Sequence, residues 1–163
     1  MFNIFKKKKE EFEEIVSPLE GVVIPLNQIP DPVFAEKMMG DGIGIIPTEG
    51  KLCSPVDGEV VQVFETKHAI ILKSNNGTDI LIHVGLETVS LDGVPFDVKV
   101  EQGQKIKKSQ LLMEVDLEYI KSNGLQIVTP VILVNDPDKE QKEIIEKALP
   151  SALNIGECLM KIK

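Results

Sequence analysis

The fold of this chain is decided by residues 68–85, which read His68-Ala69-Ile70-Ile71-Leu72-Lys73-Ser74-Asn75-Asn76-Gly77-Thr78-Asp79-Ile80-Leu81-Ile82-His83-Val84-Gly85. Two apolar runs are joined here by a short polar segment that ends in Asn-Gly. Because Asn and Gly tolerate the positive φ angles of tight turns, this pattern predicts a β-hairpin. His68 and His83 are the only histidines of the chain, and they lie in the two arms of this hairpin.

The register of the hairpin decides whether the two imidazoles meet. A two-residue turn at Asn75-Asn76 would place His68 directly opposite His83, about 4.5–5.5 Å apart between Cβ atoms. A turn at Asn76-Gly77 would make the histidines diagonal neighbours on one face. A three-residue loop would place them on opposite faces, because a slip of one residue moves every side chain to the other face. The Asn-Gly pair favours a two-residue turn, so we expect both rings on one face.

A sequence repeat predicts the architecture around the hairpin. Ser17-Pro18-Leu19-Glu20-Gly21-Val22-Val23 is followed 37 residues later by Ser54-Pro55-Val56-Asp57-Gly58-Glu59-Val60-Val61. Each copy combines a turn with a β-branched run, which indicates two similar units packed on each other. Many short apolar runs separated by turns are typical of an all-β fold, here an antiparallel β-sandwich or barrel with internal duplication.

Helices are expected to be short and few. Residues 35–39 predict a helical turn, residues 116–121 predict a short helix, and Asp136-Pro137 predicts the start of a helix that runs to about Leu149. We divide the chain into a flexible lysine-rich leader, residues 1–14, and a single domain, residues 15–163.

Composition excludes several functional classes. All 18 basic residues are Lys, four of them at positions 6–9, and the body from Glu10 onward carries 14 Lys and 26 acidic residues, a net charge of −12. Such a body argues against nucleic-acid binding, since phosphates would be repelled. No apolar run approaches the roughly 20 residues of a membrane-spanning helix. Cys53 and Cys158 are far apart in sequence and are expected to be free thiols in a reducing cytoplasm, with a disulfide as the alternative.

The first nine residues allow two interpretations. Met1-Phe2-Asn3-Ile4-Phe5-Lys6-Lys7-Lys8-Lys9 places three bulky apolar residues before a run of lysines. The segment is either a disordered leader or a weak anchor to an anionic membrane surface. The second interpretation predicts a cytoplasmic protein that is peripheral at the inner face of the membrane.

Three interpretations of the two histidines stay open from the residues alone. A histidine in an apolar strand is most often a core residue. A neutral imidazole with one free nitrogen can instead act as a nucleophile, while a second imidazole donates to the oxygens of a transferred anion. Thr66 would share the strand face of His68 and can fix that ring's tautomer. His68 and His83 also offer two zinc ligands, and a tetrahedral site would need more from water, a carboxylate or a partner.

A family resemblance covers most of the chain, from about Ile15 to Leu133. The motif Gly77-x-x-Ile80-Leu81-Ile82-His83-Val84-Gly85-Leu86-x-Thr88-Val89 resembles the phosphohistidine signature of the glucose-type IIA domain of the bacterial sugar phosphotransferase system. Further motifs that match the family are Pro30-Asp31-Pro32-Val33-Phe34-Ala35-Glu36-Lys37-Met38-Met39-Gly40-Asp41-Gly42, Ser54-Pro55-Val56-Asp57-Gly58, Phe64-x-Thr66-Lys67-His68-Ala69 and Asp116-Leu117. The family fold is a compact antiparallel β-sandwich with internal duplication, which agrees with the Ser-Pro repeat.

The resemblance implies a phosphotransferase component with a phosphohistidine intermediate. His83 would accept a phosphoryl group from the carrier protein HPr and pass it to a cysteine on the IIB domain of a membrane sugar permease. His68 would stabilise the phosphate, and Thr66 would hold His68. Partner-binding residues would form an apolar collar with a polar rim, namely Val33, Phe34, Phe64 and Leu81 with Asp31 and Glu87. No cofactor is required; a zinc ion bridged by His68, His83 and a partner is the one that the site could take.

Two alternatives come from other functional classes. Residues 100–112 resemble a turn of biotinyl and lipoyl carrier domains, and Lys37-Met38-Met39 resembles a biotinylated lysine, but the chain is much longer than such a domain needs. A regulatory protein that binds transporters or kinases through the same collar is the second alternative. The sugar is not encoded here, because specificity lies in the membrane partner. A start at Met1 with its own leader favours a stand-alone protein over part of a longer permease.

Overall fold

Antiparallel strands in three sheets make up most of the regular secondary structure. The computed structural model describes residues 12–140 and 142–163. Strands in these residues are β1 (Glu13–Val16), β2 (Gly21–Ile24), β3 (Gly42–Pro47), β4 (Lys51–Cys53), β5 (Gly58–Val63), β6 (Ala69–Ser74), β7 (Asp79–His83), β8 (Phe96–Val98), β9 (Lys105–Ile106), β10 (Leu111–Val115), β11 (Thr129–Leu133), β12 (Ile144–Lys147), β13 (Ala152–Leu153) and β14 (Cys158–Ile162). The helices are α1 (Pro32–Ala35), α2 (Leu117–Ser122) and two short 3-10 segments, Leu26–Gln28 and Thr88–Leu91. The predicted all-β class with short helices is confirmed.

The largest sheet has eight strands in the order β13-β2-β3-β11-β7-β6-β5-β9. Two three-stranded sheets, β1-β14-β12 and β4-β10-β8, complete the fold. Side chains alternate between the two faces of a strand, so the central strands of the large sheet can contribute to two apolar clusters. On β6 and β7, Ile70 and Ile82 belong to the main core, whereas Ala69 and Leu81 belong to a second cluster on the other face.

The two Ser-Pro segments form the same local structure. The hydroxyl of Ser17 donates to the carbonyl of Leu19 at 2.8 Å, and the hydroxyl of Ser54 donates to the carbonyl of Val56 at 2.6 Å. Both serine side chains are buried, so these hydrogen bonds satisfy groups that would otherwise be costly to bury. Each bond closes the turn that leads into β2 or β5.

Reciprocal backbone contacts join the two copies. The amide of Val16 donates to the carbonyl of Pro55 at 3.1 Å, and the amide of Cys53 donates to the carbonyl of Pro18 at 2.8 Å. The 37-residue spacing of the repeat relates the two bonds, because Val16 corresponds to Cys53 and Pro18 corresponds to Pro55. The eight-stranded order fits the same symmetry, since β13-β2-β3-β11 on one side corresponds to β9-β5-β6-β7 on the other. The predicted internal duplication is therefore present in the structure.

The predicted helix from Asp136 to about Leu149 is wrong. Asp136 accepts a hydrogen bond from the amide of Asp138 in a turn, and β12 then pairs with β14 from Ile144 to Lys147. Ile144 packs against the main core. Pairing with β14 and burial of this apolar residue override the local helix signal, because propensity is a weak prior against tertiary packing.

The predicted helical turn and the predicted short helix are found in part. Helix α2 follows Asp116, whose carboxylate accepts from the amide of Tyr119, close to the predicted range. The first helix lies earlier than predicted, because Asp31 caps it by accepting from the amide of Val33 and Pro32 occupies its first turn.

The described residues at the N-terminal side begin in a strand. Glu13 and Glu14 belong to β1 and pair with Ile162 and Lys161, two residues before the predicted domain boundary. The predicted membrane anchor, residues 1–9, lies outside the described residues. Within them, no helix has the length and apolarity needed to cross a membrane.

Candidate active site

The central hairpin closes with a three-residue loop, so the predicted two-residue turn is wrong. Ala69 lies opposite His83 in the β6–β7 register. Ser74, the last residue of β6, and Thr78, which precedes β7, flank residues 75–77, and the amide of Ser74 donates to the carbonyl of Thr78 at 2.8 Å. The hydroxyl of Ser74 also accepts from the amide of Thr78 at 3.1 Å. These two flanking residues fix a register that the Asn-Gly pair alone does not specify.

The imidazoles nevertheless meet, with ring centroids 4.9 Å apart and planes at 81°. Alternation of faces applies to strand residues, and His68 lies one residue before β6, in a turn where Lys67 has φ +64°. The carbonyl of His68 accepts from the amide of Val84 at 2.7 Å, which fixes the turn beside the end of β7. The expectation that the rings lie together is confirmed, although by a turn rather than by cross-strand pairing.

A hydrogen bond fixes the ring of His83 in the tautomer that a neutral nucleophile needs. Its Nδ1 lies 2.8 Å from the carbonyl oxygen of Gly85, and a carbonyl can only accept, so Nδ1 carries the proton and donates. Nε2 is then left with a free lone pair. Gly85 has φ +76°, and a Cβ there would lie 2.6 Å from the side chain of Thr88 and 2.8 Å from the carbonyl of Gln126. Only glycine fits where this acceptor carbonyl is needed.

Electrostatics keep His83 uncharged near neutral pH. Burial lowers its pKa below the ordinary value of 6.5, and this effect outweighs the hydrogen bond to Gly85 and the nearby carboxylate of Asp31, both of which raise the pKa. A pKa below 6.5 means that the neutral form predominates at pH 7. The free nitrogen is therefore available for bond formation without loss of a proton.

His68 is buried more deeply and is also neutral. Its side chain is 6% exposed, and burial together with the adjacent His83 lowers its pKa to about 4. The hydroxyl of Thr66 lies 2.7 Å from Nδ1 of His68, so the predicted pairing of these residues is found, within a turn and not along a strand. A hydroxyl can donate or accept, and donation by Thr66 would leave the proton of His68 on Nε2.

Both rings open onto a shallow cavity of about 380 Å³, lined by Asp31, Val33, Phe34, Met39, Phe64, His68, Leu81, His83, Glu87 and Val89. All six predicted partner-binding residues are among them, together with both histidines. Among the described residues that line the cavity, the charged side chains are the carboxylates of Asp31 and Glu87. The lining is otherwise mostly apolar, which favours docking of another protein surface over binding of a free polar ligand.

Aromatic contacts restrict both imidazoles. The ring centroids of Phe34 and His83 are 5.0 Å apart, with the rings tilted. The ring centroids of Phe64 and His68 are 5.5 Å apart, and these two rings meet edge to face. Leu81 lies at the bottom of the cavity and is only 1% exposed, so it packs beneath the other collar residues and offers little surface to a partner.

The sequence interpretation missed two members of the rim. Met39 is 39% exposed and Val89 is 50% exposed, and both line the cavity. Both lie inside motifs that carry the family resemblance. An apolar residue a few positions after a predicted site residue was the available signal, and it marks Met39 after helix α1 and Val89 after Glu87.

The zinc prediction rests on two ligands. The described residues contain no group of three or more His, Cys, Asp or Glu side chains placed to hold a metal ion. Nδ1 of each imidazole already has a hydrogen-bond partner, so Nε2 of His68 and His83 are the atoms that would bind zinc. Tetrahedral coordination would then require ligands from outside the chain.

Known proteins of one family match both the sequence and the fold. Residues 13–139 match the family model of the phosphoenolpyruvate-dependent sugar phosphotransferase system, EIIA 1. The chain is 50% identical over 135 residues to the PTS system glucose-specific EIIA component of Bacillus cereus, which covers 83% of this chain and 81% of that protein. It is 48% identical over 143 residues to the same component of Staphylococcus epidermidis, which covers 86% of each.

A fused relative and a solved structure extend these matches. The chain is 47% identical over 137 residues to the PTS system glucosamine-specific EIICBA component of Bacillus subtilis, which covers 84% of this chain and 22% of that protein. Its fold matches glucose permease IIA from Mycoplasma capricolum with a TM-score of 0.85 and 32% identity, over 93% of this chain and 96% of that one. The chain therefore belongs to the EIIA 1 family of the sugar phosphotransferase system and is a phosphocarrier of that system.

Proposed function

We propose that Nε2 of His83 is the atom that accepts the phosphoryl group. The observation that carries this proposal is the hydrogen bond from Nδ1 of His83 to the carbonyl of Gly85, because it leaves Nε2 unprotonated. The lowered pKa of His83 and its place on an open apolar cavity support the same assignment. His68 is the less suitable acceptor, since it is more buried and its tautomer depends on a rotatable hydroxyl.

The transfer itself requires little covalent chemistry from the protein. The lone pair of Nε2 forms a bond to phosphorus while the bond between phosphorus and the HPr imidazole breaks. The electron pair of that bond returns to the departing imidazole. Phosphoryl transfer depends mainly on alignment of the two nitrogens and on electrostatic stabilisation of the phosphoryl oxygens. The contacts of His83 with Phe34 and His68 hold its ring in one orientation for this alignment.

His68 and Thr66 would stabilise the transferred group. If Thr66 donates to Nδ1 of His68, the neutral ring carries a proton on Nε2 and can donate it to a phosphoryl oxygen. With its pKa near 4, His68 would act as a neutral donor at pH 7. A neutral donor leaves the phosphate less tightly bound than a cation would, which suits a group that must be passed on.

The second step would deliver the group to a cysteine of a IIB domain. The thiolate forms a bond to phosphorus as the bond to Nε2 of His83 breaks, and the imidazole returns to its free state. The apolar rim residues Val33 and Val89 would contact the partner, and Asp31 and Glu87 would flank the contact. The names of the relatives, glucose-specific and glucosamine-specific, support a sugar of the glucose type.

The finer partner assignments are part of the same proposal. We place the protein in the cytoplasm, and residues 1–9 would give weak contact with the inner face of the membrane. Transporters or kinases under regulation would bind the same cavity, with zinc held by Nε2 of both histidines and a partner carboxylate. Isothermal titration of such a partner with and without zinc would test the bridge, and equal affinities in both conditions would contradict it.

Incubation with phosphoenolpyruvate, enzyme I and HPr tests the acceptor. We expect His83→Ala to accept no phosphoryl group, because its nucleophile is removed. His68→Gln keeps the nucleophile, so it should still accept the group but transfer it onward at least about tenfold more slowly. Acid-labile phosphate mapped by mass spectrometry is the readout, and labelling of His83→Ala would overturn the assignment.

A further inference from the structure

We propose that Met39, with Met38 beside it, is a site of reversible oxidation by peroxide that blocks partner docking at the His83 cavity. The proposal rests on the proposed function of that cavity. Met39 lines the cavity wall with Val33 and Val89 and is 39% exposed, and Met38 is 65% exposed. Partly exposed residues with polarizable thioethers therefore lie at the edge of the surface that a phosphoryl donor must cover.

The other described sulfur atoms are protected. Met113 and Met160 are buried in the main core. Cys53 is buried, and burial raises the pKa of its thiol. Burial, with a hydrogen bond to Glu14, raises the pKa of Cys158 to about 11. Because a thiol reacts as its thiolate, both cysteines are poor nucleophiles at neutral pH. Among the described residues, peroxide should therefore reach Met38 and Met39 first.

The reaction is a transfer of one oxygen atom. The sulfur lone pair forms a bond to one oxygen of hydrogen peroxide, the oxygen–oxygen bond breaks, and water leaves after a proton shift. Sulfur is oxidised and the peroxide is reduced. The product, methionine sulfoxide, is polar, and methionine sulfoxide reductases return it to the thioether. A partner surface that docks on the cavity would have to remove water from the sulfoxide oxygen. This desolvation is unfavourable where an apolar partner surface offers that oxygen no hydrogen-bond donor.

The backbone keeps Met39 at the rim. Its carbonyl accepts from the amide of Asn135 at 3.1 Å, and the next amide, that of Gly40, donates to the carbonyl of Lys37 at 3.2 Å. The segment is thereby tied both to the loop after β11 and to its own turn. An oxidised Met39 would remain part of the docking surface, because its main chain is fixed there.

The test uses the full chain treated with hydrogen peroxide at pH 7. Peptide mass spectrometry should show one added oxygen on Met38 and Met39 before any on Met113 and Met160. Initial rates of phosphoryl acceptance from phospho-HPr should then fall by at least about fivefold in kcat/KM, mainly through a higher KM for HPr. Dithiothreitol should not restore the rate, whereas methionine sulfoxide reductases A and B should restore it.

Matched variants make the proposal falsifiable. The ratio of treated to untreated rates should approach one in the double variant Met38→Leu/Met39→Leu, because leucine keeps the apolar rim and cannot be oxidised. A loss that persists in the double variant, a loss reversed by dithiothreitol, or an unchanged rate once Met39 is fully oxidised would each overturn the proposal. Failure of the proposed function would look different, since the untreated protein would then accept no phosphoryl group.

Discussion

The two halves of the duplicated fold each place a turn before a corresponding strand of the large sheet, and they use it differently. In one half the carbonyl of His68 accepts from the amide of Val84 at 2.7 Å, and in the other the carbonyl of Asp41 accepts from the amide of Leu133 at 2.8 Å. Both turns lead into corresponding strands of the large sheet, β6 and β3. The backbone positions of the histidine site are therefore present twice.

The side chains at these positions separate a reactive site from a structural one. His83 lies opposite Ala69 in the first half, and Ile132 lies opposite Gly42 in the second. Ile132 is buried in the second apolar cluster, whereas His83 opens onto the cavity. The fold supplies the turn and the pairing, and a few side chains decide whether chemistry takes place there.

Asp41 has a structural role in the turn before β3, the counterpart of the turn that carries His68. Its carboxylate lies 2.8 Å from the ammonium of Lys147 and 3.4 Å from that of Lys37. Burial disfavours the charged form, but the hydrogen bonds from Lys147 and the amide of Gly42 prevail and lower the pKa of Asp41. A carboxylate paired in this way joins β12 to the turn before β3. It fastens elements together where the corresponding histidine would take part in transfer.

Among the changes that test this comparison of the two halves, the largest effect is expected at Gly85, whose counterpart in the other half is Val134. In Gly85→Ala the new Cβ cannot fit against Thr88 and Gln126, so the carbonyl that holds His83 must move. Because small displacements of a reacting group have large effects, we expect the rate of phosphoryl acceptance to fall by about 100-fold. Initial rates with phospho-HPr, alongside circular dichroism to check the fold, provide the measurement.

Gly77→Ala is the matched control. Gly77 also has a positive φ, +85°, but nothing lies within 4 Å of a Cβ there. Backbone strain should cost roughly 1–2 kcal/mol of stability and leave the rate of acceptance within about twofold of wild type. Equal rates for the two alanine variants would show that the Gly85 carbonyl does not orient His83.

A second prediction concerns the pH dependence of stability. The pKa of His68 is about 4 in the folded protein and 6.5 in the unfolded chain. Between these values the unfolded state binds more protons, so acid favours unfolding, and the penalty disappears above pH 6.5. The free energy of unfolding of wild type, relative to His68→Gln, should rise by about 2–3 kcal/mol from pH 4.5 to pH 7.5. Urea titrations at the two pH values measure this difference, and a constant difference would contradict burial of a neutral His68.

The smallest effect is expected at the second copy of the turn. Asp41→Asn removes the charge that pairs with Lys147 and Lys37, and partly exposed ion pairs contribute less than about 1 kcal/mol. Thermal unfolding should therefore shift slightly, and phosphoryl acceptance should stay within about twofold of wild type. A tenfold loss of acceptance would mean that the second half takes part in the chemistry and would break the comparison.

Much of the fold could be predicted because its signals are local and repeated. The Ser-Pro repeat predicted the duplication, and the two apolar runs joined by the Asn-Gly segment predicted the hairpin of β6 and β7. The helix predicted after Asp136 failed because its residues pair with β14, a contact that lies far away in sequence. The prediction of the hairpin register failed because a hydrogen bond from the amide of Thr78 to the hydroxyl of Ser74 helps to fix the loop length. Turn propensities do not include such a side-chain contact.

The site was predictable in its members more than in its geometry. The motifs brought together His68, His83 and Thr66 and the six residues of the collar and rim, and the structure places all of them in or directly behind one cavity. The carbonyl of Gly85 could not be predicted as a partner of His83, since it depends on a backbone angle after the end of β7. Val89 and Met39 were missed because their exposure is set by the 3-10 segment and the bend that carry them.

The most direct test of this account is nuclear magnetic resonance of the phosphorylated, ¹⁵N-labelled protein. Long-range proton–nitrogen spectra distinguish the two nitrogens of each imidazole. The account predicts that phosphorus is bound to Nε2 of His83 while Nδ1 stays protonated and hydrogen-bonded to Gly85. Phosphorylation at Nδ1 of His83, or at His68, would contradict it.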